Sequence, residues 1–435
     1  MKAPRSILRA AVVVLVLNGV FLLLVVLAVP DQSAATRARV RAAFHTGDLA
    51  HDDYLLFDSR RGFFQYNDCN VLQMIANAGS SRLERAISPV VYSANDDWTD
   101  QCAVLDRVIA QDSAVDGLIE NRYSRYWHGY NAGVATALRW MELRTLRRTL
   151  VAAVWLSLAA LTLLMFRSGA GSRRIGGGIA LAAGAFWAVP YFDPGFTFGF
   201  GDAALLLGLA VLAARPRVAL DVDTLVPFAA GFGAVIVFFE MLTGQLPVAA
   251  AWLVAGVAAA RHDHARDARG DMLMLAFAAL AAFAVGALAT VAIKQVLALT
   301  LADPDAGRAF LSHLDLYVDV PDRAGRRPGI LLPFIRLWDR ASLLTYGSHR
   351  AGHALVSLIA VAWLAGAARA WRERARAPDA ARIILLVAAL APLAWVLLLP
   401  QHTYLHATFM VRILVASIAL APVAALWPAP RDAGA

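Results

Sequence analysis

At 435 residues, 59% of them hydrophobic, with a mean hydropathy of +0.58, the chain is too apolar for a soluble protein of its length. Several runs approach the roughly twenty residues a helix needs to cross a bilayer, so the composition points to an all-α polytopic membrane protein with about ten transmembrane helices. A formal net charge of +8 would suit nucleic acid, but most of the excess arginine sits in short segments between apolar spans, where it orients helices, and nucleic acid is excluded as a partner.

The first element expected is an anchor helix over 1–29. Lys2, Arg5 and Arg9 lead into an apolar run to about Val29, in which Asn18 is polar. The run is longer than the roughly 7–15 residues of a signal-peptide core, and no clean small-x-small cleavage site follows it.

A long polar insert follows, 30–146, the first loop domain. It opens with His51-Asp52-Asp53-Tyr54, passes through Gln65-Tyr66-Asn67-Asp68-Cys69-Asn70 and closes with Arg125-Tyr126-Trp127-His128-Gly129-Tyr130. Apolar spacing predicts helices over 81–87 and 102–110, and an amphipathic helix over 132–148. The two cysteines of the chain, Cys69 and Cys102, both lie here. An extracytoplasmic insert would pair them as a disulfide, and a reduced loop would leave two thiols.

Beyond the insert, apolar runs recur at membrane spacing: 150–166, 175–191, 203–214, 225–242, 247–260 and 272–299, then 351–368, 383–399 and 408–426. Between the two groups lies a second polar insert, 302–350, and the final group ends in a short tail. The domain plan is therefore 1–29, 30–146, 147–301, 302–350 and 351–435. Arginines fill alternate connections: Arg167, Arg173 and Arg174; Arg215 and Arg217; Arg261, Arg266 and Arg269; and Arg369 to Arg382. The short loops 192–201, 243–246 and 400–406 carry no Lys or Arg. This asymmetry predicts both termini on the cytoplasmic side and both inserts outside, in a multi-pass protein of the bacterial inner membrane. No internal repeat is visible, which weakens an inverted-repeat transporter.

Ionisable residues inside spans cost at least roughly 2.5–3.5 kcal/mol at a helix centre and are therefore informative. Asp202, Glu240, Lys294 and Arg412 all fall in the outer half on this topology, as one polar pocket open to the outside would require. Each also has a structural reading: Lys294 and Arg412 can snorkel, and Glu240 can cap a helix end. The loop Gln401-His402-Thr403-Tyr404-Leu405-His406 leads into Arg412. Its two histidines have a metal-ligand spacing but no HExxH glutamate, so a lipid-linked phosphate suits them better than zinc. The second insert mixes charge with aromatics, namely His313, Asp315, Asp319, Asp322, Arg326, Arg327, Arg336, Trp338, Asp339, Arg340, Tyr346 and His349, which fits acceptor binding or a solvated loop.

With a long first outer loop, a polar cavity at the outer face and about ten helices, the pattern resembles the GT-C class of polytopic glycosyltransferases. Tyr66-Asn67-Asp68, Arg125-Tyr126-Trp127-His128-Gly129-Tyr130 and Phe239-Glu240-Met241-Leu242-Thr243-Gly244 are similar to motifs of an uncharacterised bacterial envelope-polysaccharide-like subgroup. The resemblance implies transfer of a sugar from a polyprenyl-phosphate-linked donor, itself a membrane lipid, to an extracytoplasmic envelope acceptor. It implies an acidic base on the first outer loop, which Asp68 matches, with Asp52 and Asp53 as rivals. Arg125, His128, Tyr130, Lys294, His402, His406 and Arg412 are then expected around the donor, with Glu240 orienting Lys294 or a sugar hydroxyl. Asp52-Asp53 and Asp96-Asp97 are adjacent pairs, not Asp-x-Asp, so the base and any divalent cation stay open and no metal ligand is named. The rivals are an envelope-lipid flippase and a non-catalytic scaffold.

Overall fold

The structure, a computed structural model, describes residues 3–28, 33–53, 65–76, 81–95, 99–110, 115–187, 195–240, 244–264, 269–319, 331–345, 348–373 and 379–428. Tyr54, Asp96, Asp97, Asp322, Arg326, Arg327, Tyr346 and Met241-Leu242-Thr243 lie outside these residues, as do the side chains of His313, Asp315 and Asp319.

Helix α1 (Ala3–Ala28) is the expected anchor. Its one mid-helix polar group is not left to lipid: Asn18 Nδ2 donates to the Val14 carbonyl (2.8 Å) and to Thr290 Oγ1 (3.1 Å) of a neighbouring helix.

The first insert folds as α2 (Ser33–Thr46), α3 (Tyr66–Ala76), α4 (Arg82–Ile87), β1 (Val90–Ser93), α5 (Gln101–Ala110), β2 (Ile119–Arg122) and α6 (Gly129–Ala137). Helices α4 and α5 match the expected segments. Ser81 starts α4 with a reciprocal capping box to Glu84. The disulfide Cys69–Cys102 ties α3 to α5. β1 and β2 form an antiparallel ribbon that the periodicity did not announce, with Val90 opposite Arg122 and Ser93 opposite Ile119. The helix expected over 132–148 is in fact two. α6 ends at Ala137, the chain turns with Trp140 exposed, and α7 (Leu143–Arg167) starts after an extended Glu142. The turn lets one sequence stretch pack on two elements, which a continuous helix could not do.

The insert does not hang on a linker. Its core of Val40, Leu49, Leu72, Ile75, Leu105 and Ile109 continues into Leu146 and Leu150 of α7 and Phe196 at the head of the next-but-one helix. Burying each such side chain is worth roughly 1.5–3 kcal/mol, so the insert and the membrane helices share one core at this junction.

The remaining chain is helical. α8 (Ala170–Trp187), α9 (Phe196–Ala214), the short α10 (Pro216–Leu220), α11 (Val222–Phe239), α12 (Gln245–His264) and α13 (Arg269–Leu301) precede the second insert, which folds as α14 (Ala306–Asp319) and α15 (Leu332–Arg340). α16 (His349–Glu373), α17 (Ala380–Leu398), the short α18 (Pro400–Leu405) and α19 (Ala407–Met410), and α20 (Leu414–Ala425) complete it.

Among the described residues, seven helices are long and apolar enough to cross a membrane: α1, α7, α9, α11, α13, α16 and α17. The other three expected spans are helical but interrupted or more polar. α8 carries Arg173 and Arg174, α12 ends in Arg261-His262-Asp263-His264, and the last begins with a 3-10 turn at Val411–Ile413 that leaves α20 only 12 residues. α12 is buried almost throughout and forms the axis of the bundle. α11 and α13 touch backbone to backbone. A Cβ on Gly233 would strike the Phe283 carbonyl, and one on Gly286 would strike the Ala230 carbonyl, so small residues are required at the crossing.

Candidate functional site

The segment before α6 folds into a buried aromatic cage. The Arg125 guanidinium carbon lies 4.6 Å from the Tyr123 ring centre and 5.9 Å from that of Tyr126, a cation–π arrangement. His128 packs against Tyr123, Tyr126 and Tyr130 at centroid distances of 5.4, 5.3 and 5.5 Å. Its Nε2 is 3.2 Å from the Tyr123 carbonyl, which only accepts, so Nε2 carries the hydrogen; Nδ1 then accepts from the Tyr130 hydroxyl at 2.7 Å. Burial, followed by the positive charges of Lys294 and Arg125, lowers the His128 pKa to about 3, so the ring is neutral at ordinary pH. Burial likewise raises the phenol pKa values of Tyr123 and Tyr130, with Glu240 adding to the effect on Tyr130.

Helix α13 supports this cage from below. Gln295 Nε2 donates to the Arg125 carbonyl at 2.5 Å, and Trp127 Nε1 donates to the Thr290 carbonyl at 3.3 Å. One turn away, Lys294 Nζ donates to the Ile87 carbonyl and lies 5.6 Å from the Trp127 ring centre. Lys294 is 1% exposed, so this cation is held inside the protein and does not snorkel.

A separate hydrogen-bonded chain runs across the bundle from Glu240. Glu240 Oε2 accepts from the Gln245 backbone amide (3.0 Å). The same glutamine's Nε2 donates to Asp202 Oδ1 (2.6 Å). Trp187 Nε1 donates to Asp202 Oδ2 (3.0 Å), and Arg412 Nη2 donates to both oxygens (2.7 and 2.9 Å). The Arg412 guanidinium also lies over the Phe198 ring, 4.0 Å from its centre. What presents Gln245 is a tight turn at Gly244, whose φ of +108° suits glycine and whose Cα faces Ile413 too closely for a side chain. A cavity borders this pair, with Phe186, Trp187, Asp202, Gln245, Trp252 and Arg412 in its wall. Two buried donors of that wall, Arg412 Nη1 and Trp252 Nε1, have no partner among the described residues.

The structure thus brings together Arg125, His128, Tyr130 and Lys294, with the charge of Glu240 acting on Tyr130, and links Glu240 through Gln245 and Asp202 to Arg412. The insert carboxylates lie elsewhere. Asp68 is buried with both oxygens engaged: Oδ2 by Arg147 Nε and Nη2 (3.0 and 2.9 Å), Oδ1 by the Phe196 amide (2.7 Å). Burial raises its pKa, against the opposing pull of Arg147. Asp53 caps α5, accepting from the Gln101 and Cys102 amides at 2.9 and 2.8 Å. Asp52 is exposed, and its carbonyl accepts from Gln65 Nε2 at 2.5 Å. His402 and His406 lie one turn apart with their rings tilted at 53° and 4.7 Å between centroids, and burial lowers the His406 pKa to about 4. Among the described residues no group of three or more His, Cys, Asp or Glu is spaced to hold a metal.

Sequence reasoning missed Trp187, Gln245 and Arg147. An indole and an amide carry no charge signal, and Arg147 reads as one of several arginines flanking a span. No protein-family model matches the chain, and no curated protein or solved structure is similar to it.

Proposed function

We propose that the protein is a membrane glycosyltransferase that moves a sugar from a polyprenyl-phosphate-linked donor to an envelope acceptor. In this reading the bundle crosses a bacterial plasma membrane with about ten helices, both termini are cytoplasmic and the first insert faces outward. The observation that carries it is the buried juxtaposition of Lys294 and Arg125 with the neutral His128–Tyr130 pair, where the insert meets the bundle. Lys294 and Arg125 supply positive charge for the donor phosphate and for the leaving prenyl phosphate, in surroundings where water does not screen it.

The base role passes from Asp68 to Glu240. Asp68 accepts three hydrogen bonds from Arg147 and the Phe196 amide, away from the cage, whereas Glu240 accepts from the Gln245 amide and its charge acts on Tyr130 of the cage. The acceptor hydroxyl oxygen attacks the anomeric carbon while the bond from that carbon to the phosphate oxygen breaks. Prenyl phosphate leaves with the electron pair, and the hydroxyl proton passes to Glu240. A single displacement of this kind inverts the anomeric centre.

The test is sugar transfer by the purified protein in nanodiscs, combined with mass spectrometry of co-purified lipid. Wild type should retain a polyprenyl phosphate or its sugar conjugate, and Lys294→Ala should lose it. Glu240→Gln should retain the lipid and lose roughly 10²-fold or more in turnover. Only bulk phospholipid in every sample would refute the donor site.

A second reading, lipid translocation, is favoured by one observation. Another cavity lies toward the opposite end of the bundle, lined by Ser168, Ser172, Gly256 and His264, and Trp252 belongs to the walls of both. Transbilayer movement of a fluorescent prenyl phosphate in proteoliposomes, faster in Trp252→Ala than in wild type, would support translocation over transfer.

A further inference from the structure

The second insert departs from a solvated loop in where it leaves its apolar side chains. Successive residues of a helix point about 100° apart, and on that wheel α15 divides into three sectors. Pro333 and Leu337 are buried, Leu337 as part of the bundle core with Phe334 packed on it. Arg336, Asp339 and Arg340 form an exposed charged sector, with the half-buried Leu332 among them at the helix start. The remaining sector is Leu331, Ile335 and Trp338, spaced i, i+4, i+7, which is apolar and exposed: Leu331 by 68% and Ile335 by 51%. The described side chains of α14 repeat the arrangement. Ala306 is buried with Ile87 and Ala298, Arg308 and Ser312 are polar and exposed, and Leu311 and Leu314 form an exposed apolar pair, Leu311 by 60%.

A helix packed on a protein in water needs two sectors, one to bury and one to hydrate. A third sector, apolar and open, is what a helix requires when it lies at a bilayer surface beside a protein wall. The two stripes also continue an apolar surface of the membrane-spanning helices. Val296 and Leu299 are exposed near the end of α13, and Leu397 and Leu398 at the end of α17. The chain leaving α17 enters α18, which packs against both α14 and α15, and there Arg336 Nη2 donates to the Tyr404 hydroxyl at 3.2 Å. This tie holds α15 at the level where α17 ends. We infer that α14 and α15 lie in the bilayer interface on the insert side, with the bilayer itself as their partner. Leu311, Leu314, Leu331, Ile335 and Trp338 enter the boundary between headgroups and acyl chains, and Arg308, Arg336 and Arg340 stand among the headgroups. The inference stands apart from sugar transfer and needs only that the bundle spans a membrane.

The native cysteines are buried and joined in the disulfide, so single introduced cysteines can be labelled alone on the full-length protein in nanodiscs. The variants are Leu311→Cys and Ile335→Cys on the apolar stripes, and Ser312→Cys and Asp339→Cys on the polar sectors. All four side chains are exposed, and each helix carries one variant of either kind, so every label has its own control on the same helix. Each variant carries an environment-sensitive NBD label and meets three quenchers: lipid spin-labelled near the headgroup, lipid spin-labelled near the chain end, and aqueous iodide. Labels on Leu311→Cys and Ile335→Cys should emit to the blue of the other two, with the headgroup-proximal lipid quenching them roughly threefold more than iodide does. Labels on Ser312→Cys and Asp339→Cys should show the opposite ratio. Equal iodide quenching on both sectors would overturn the inference in favour of a solvated loop. Strongest quenching from the chain-end lipid would overturn it in favour of helices sunk in the hydrocarbon. Protection of the stripes from all three quenchers would overturn it in favour of a protein partner or a second copy of the chain.

Discussion

The two ends of the helical bundle use polar side chains in different ways. At the arginine-rich end, three carboxylates cap helices by accepting from the main chain. Asp263 accepts from the Gly171 and Ser172 amides (2.8 and 2.9 Å) at the head of α8, Asp379 from the Ala381 and Arg382 amides (3.0 and 3.4 Å) at the head of α17, and Asp221 from the Asp223 amide (3.3 Å) at the head of α11. Arg382 closes the same end by bonding Glu373 and the Trp427 carbonyl. At the insert end, buried side chains address one another: His128 with Tyr130, Gln245 and Trp187 with Asp202, and Asp202 with Arg412. Capping satisfies groups that every helix leaves open and says little about function. Buried side-chain-to-side-chain bonding carries a desolvation cost that capping does not; at the arginine-rich end Arg382 with Glu373 is such a pair, and at the insert end such pairs gather into a cage and a chain.

Substitutions can break this contrast or sharpen it. The largest effect should come from Asp202→Ala, which strands Arg412 as a buried unpaired cation. The expected loss is roughly 3–5 kcal/mol in detergent unfolding, and Asp202→Asn/Arg412→Gln should recover most of it. Removing the disulfide with Cys69→Ser and Cys102→Ser should cost about 3–4 kcal/mol, from loop closure over the 33-residue separation. It should loosen the insert before the bundle, which limited proteolysis can follow.

An acid titration tests the cage directly. The His128 pKa is lowered from its ordinary 6.5 to about 3, so the unfolded chain takes up this proton first as pH falls. The stability it contributes is complete above about pH 6.5 and declines toward pH 3, by roughly 1 kcal/mol per pH unit. His128→Gln should flatten that slope, and an unchanged slope would place the ring in water. At the other end, Asp263→Ala should cost about 1–2 kcal/mol and Asp221→Ala about 0.5 kcal/mol, both without change in farnesyl phosphate binding. A binding defect in either would erase the distinction between the two ends.

Much of the helical architecture was legible in the sequence, because apolar length is a strong signal. The helices around every expected span are present, although α8, α12 and α20 fall short of the length or hydropathy of a membrane span. The β1–β2 ribbon was hidden because each strand has four residues and β2 is mostly exposed, which leaves no alternation to detect. Asp202, Glu240, Lys294 and Arg412 stood out individually as charges in apolar runs. Their partners did not, because Asp202 and Arg412 are 210 residues apart and the bridging Gln245 and Trp187 are uncharged. The Asp68 motif was visible, but its surroundings were not. Arg147 is 79 positions away, and the Phe196 amide has no sequence signature at all.

The backbone contact between α11 and α13 makes the two helices a single strut. Glu240 stands at the end of α11, seven residues beyond Gly233, and Lys294 stands eight residues beyond Gly286 on α13. That is roughly 10–12 Å along each axis. The separation of this acid and this cation is therefore gauged by main-chain atoms at the crossing, not by the side chains near them. Widening the crossing with a single methyl group would act as a wedge at a fulcrum, spreading the far ends while leaving every residue of the cage chemically intact.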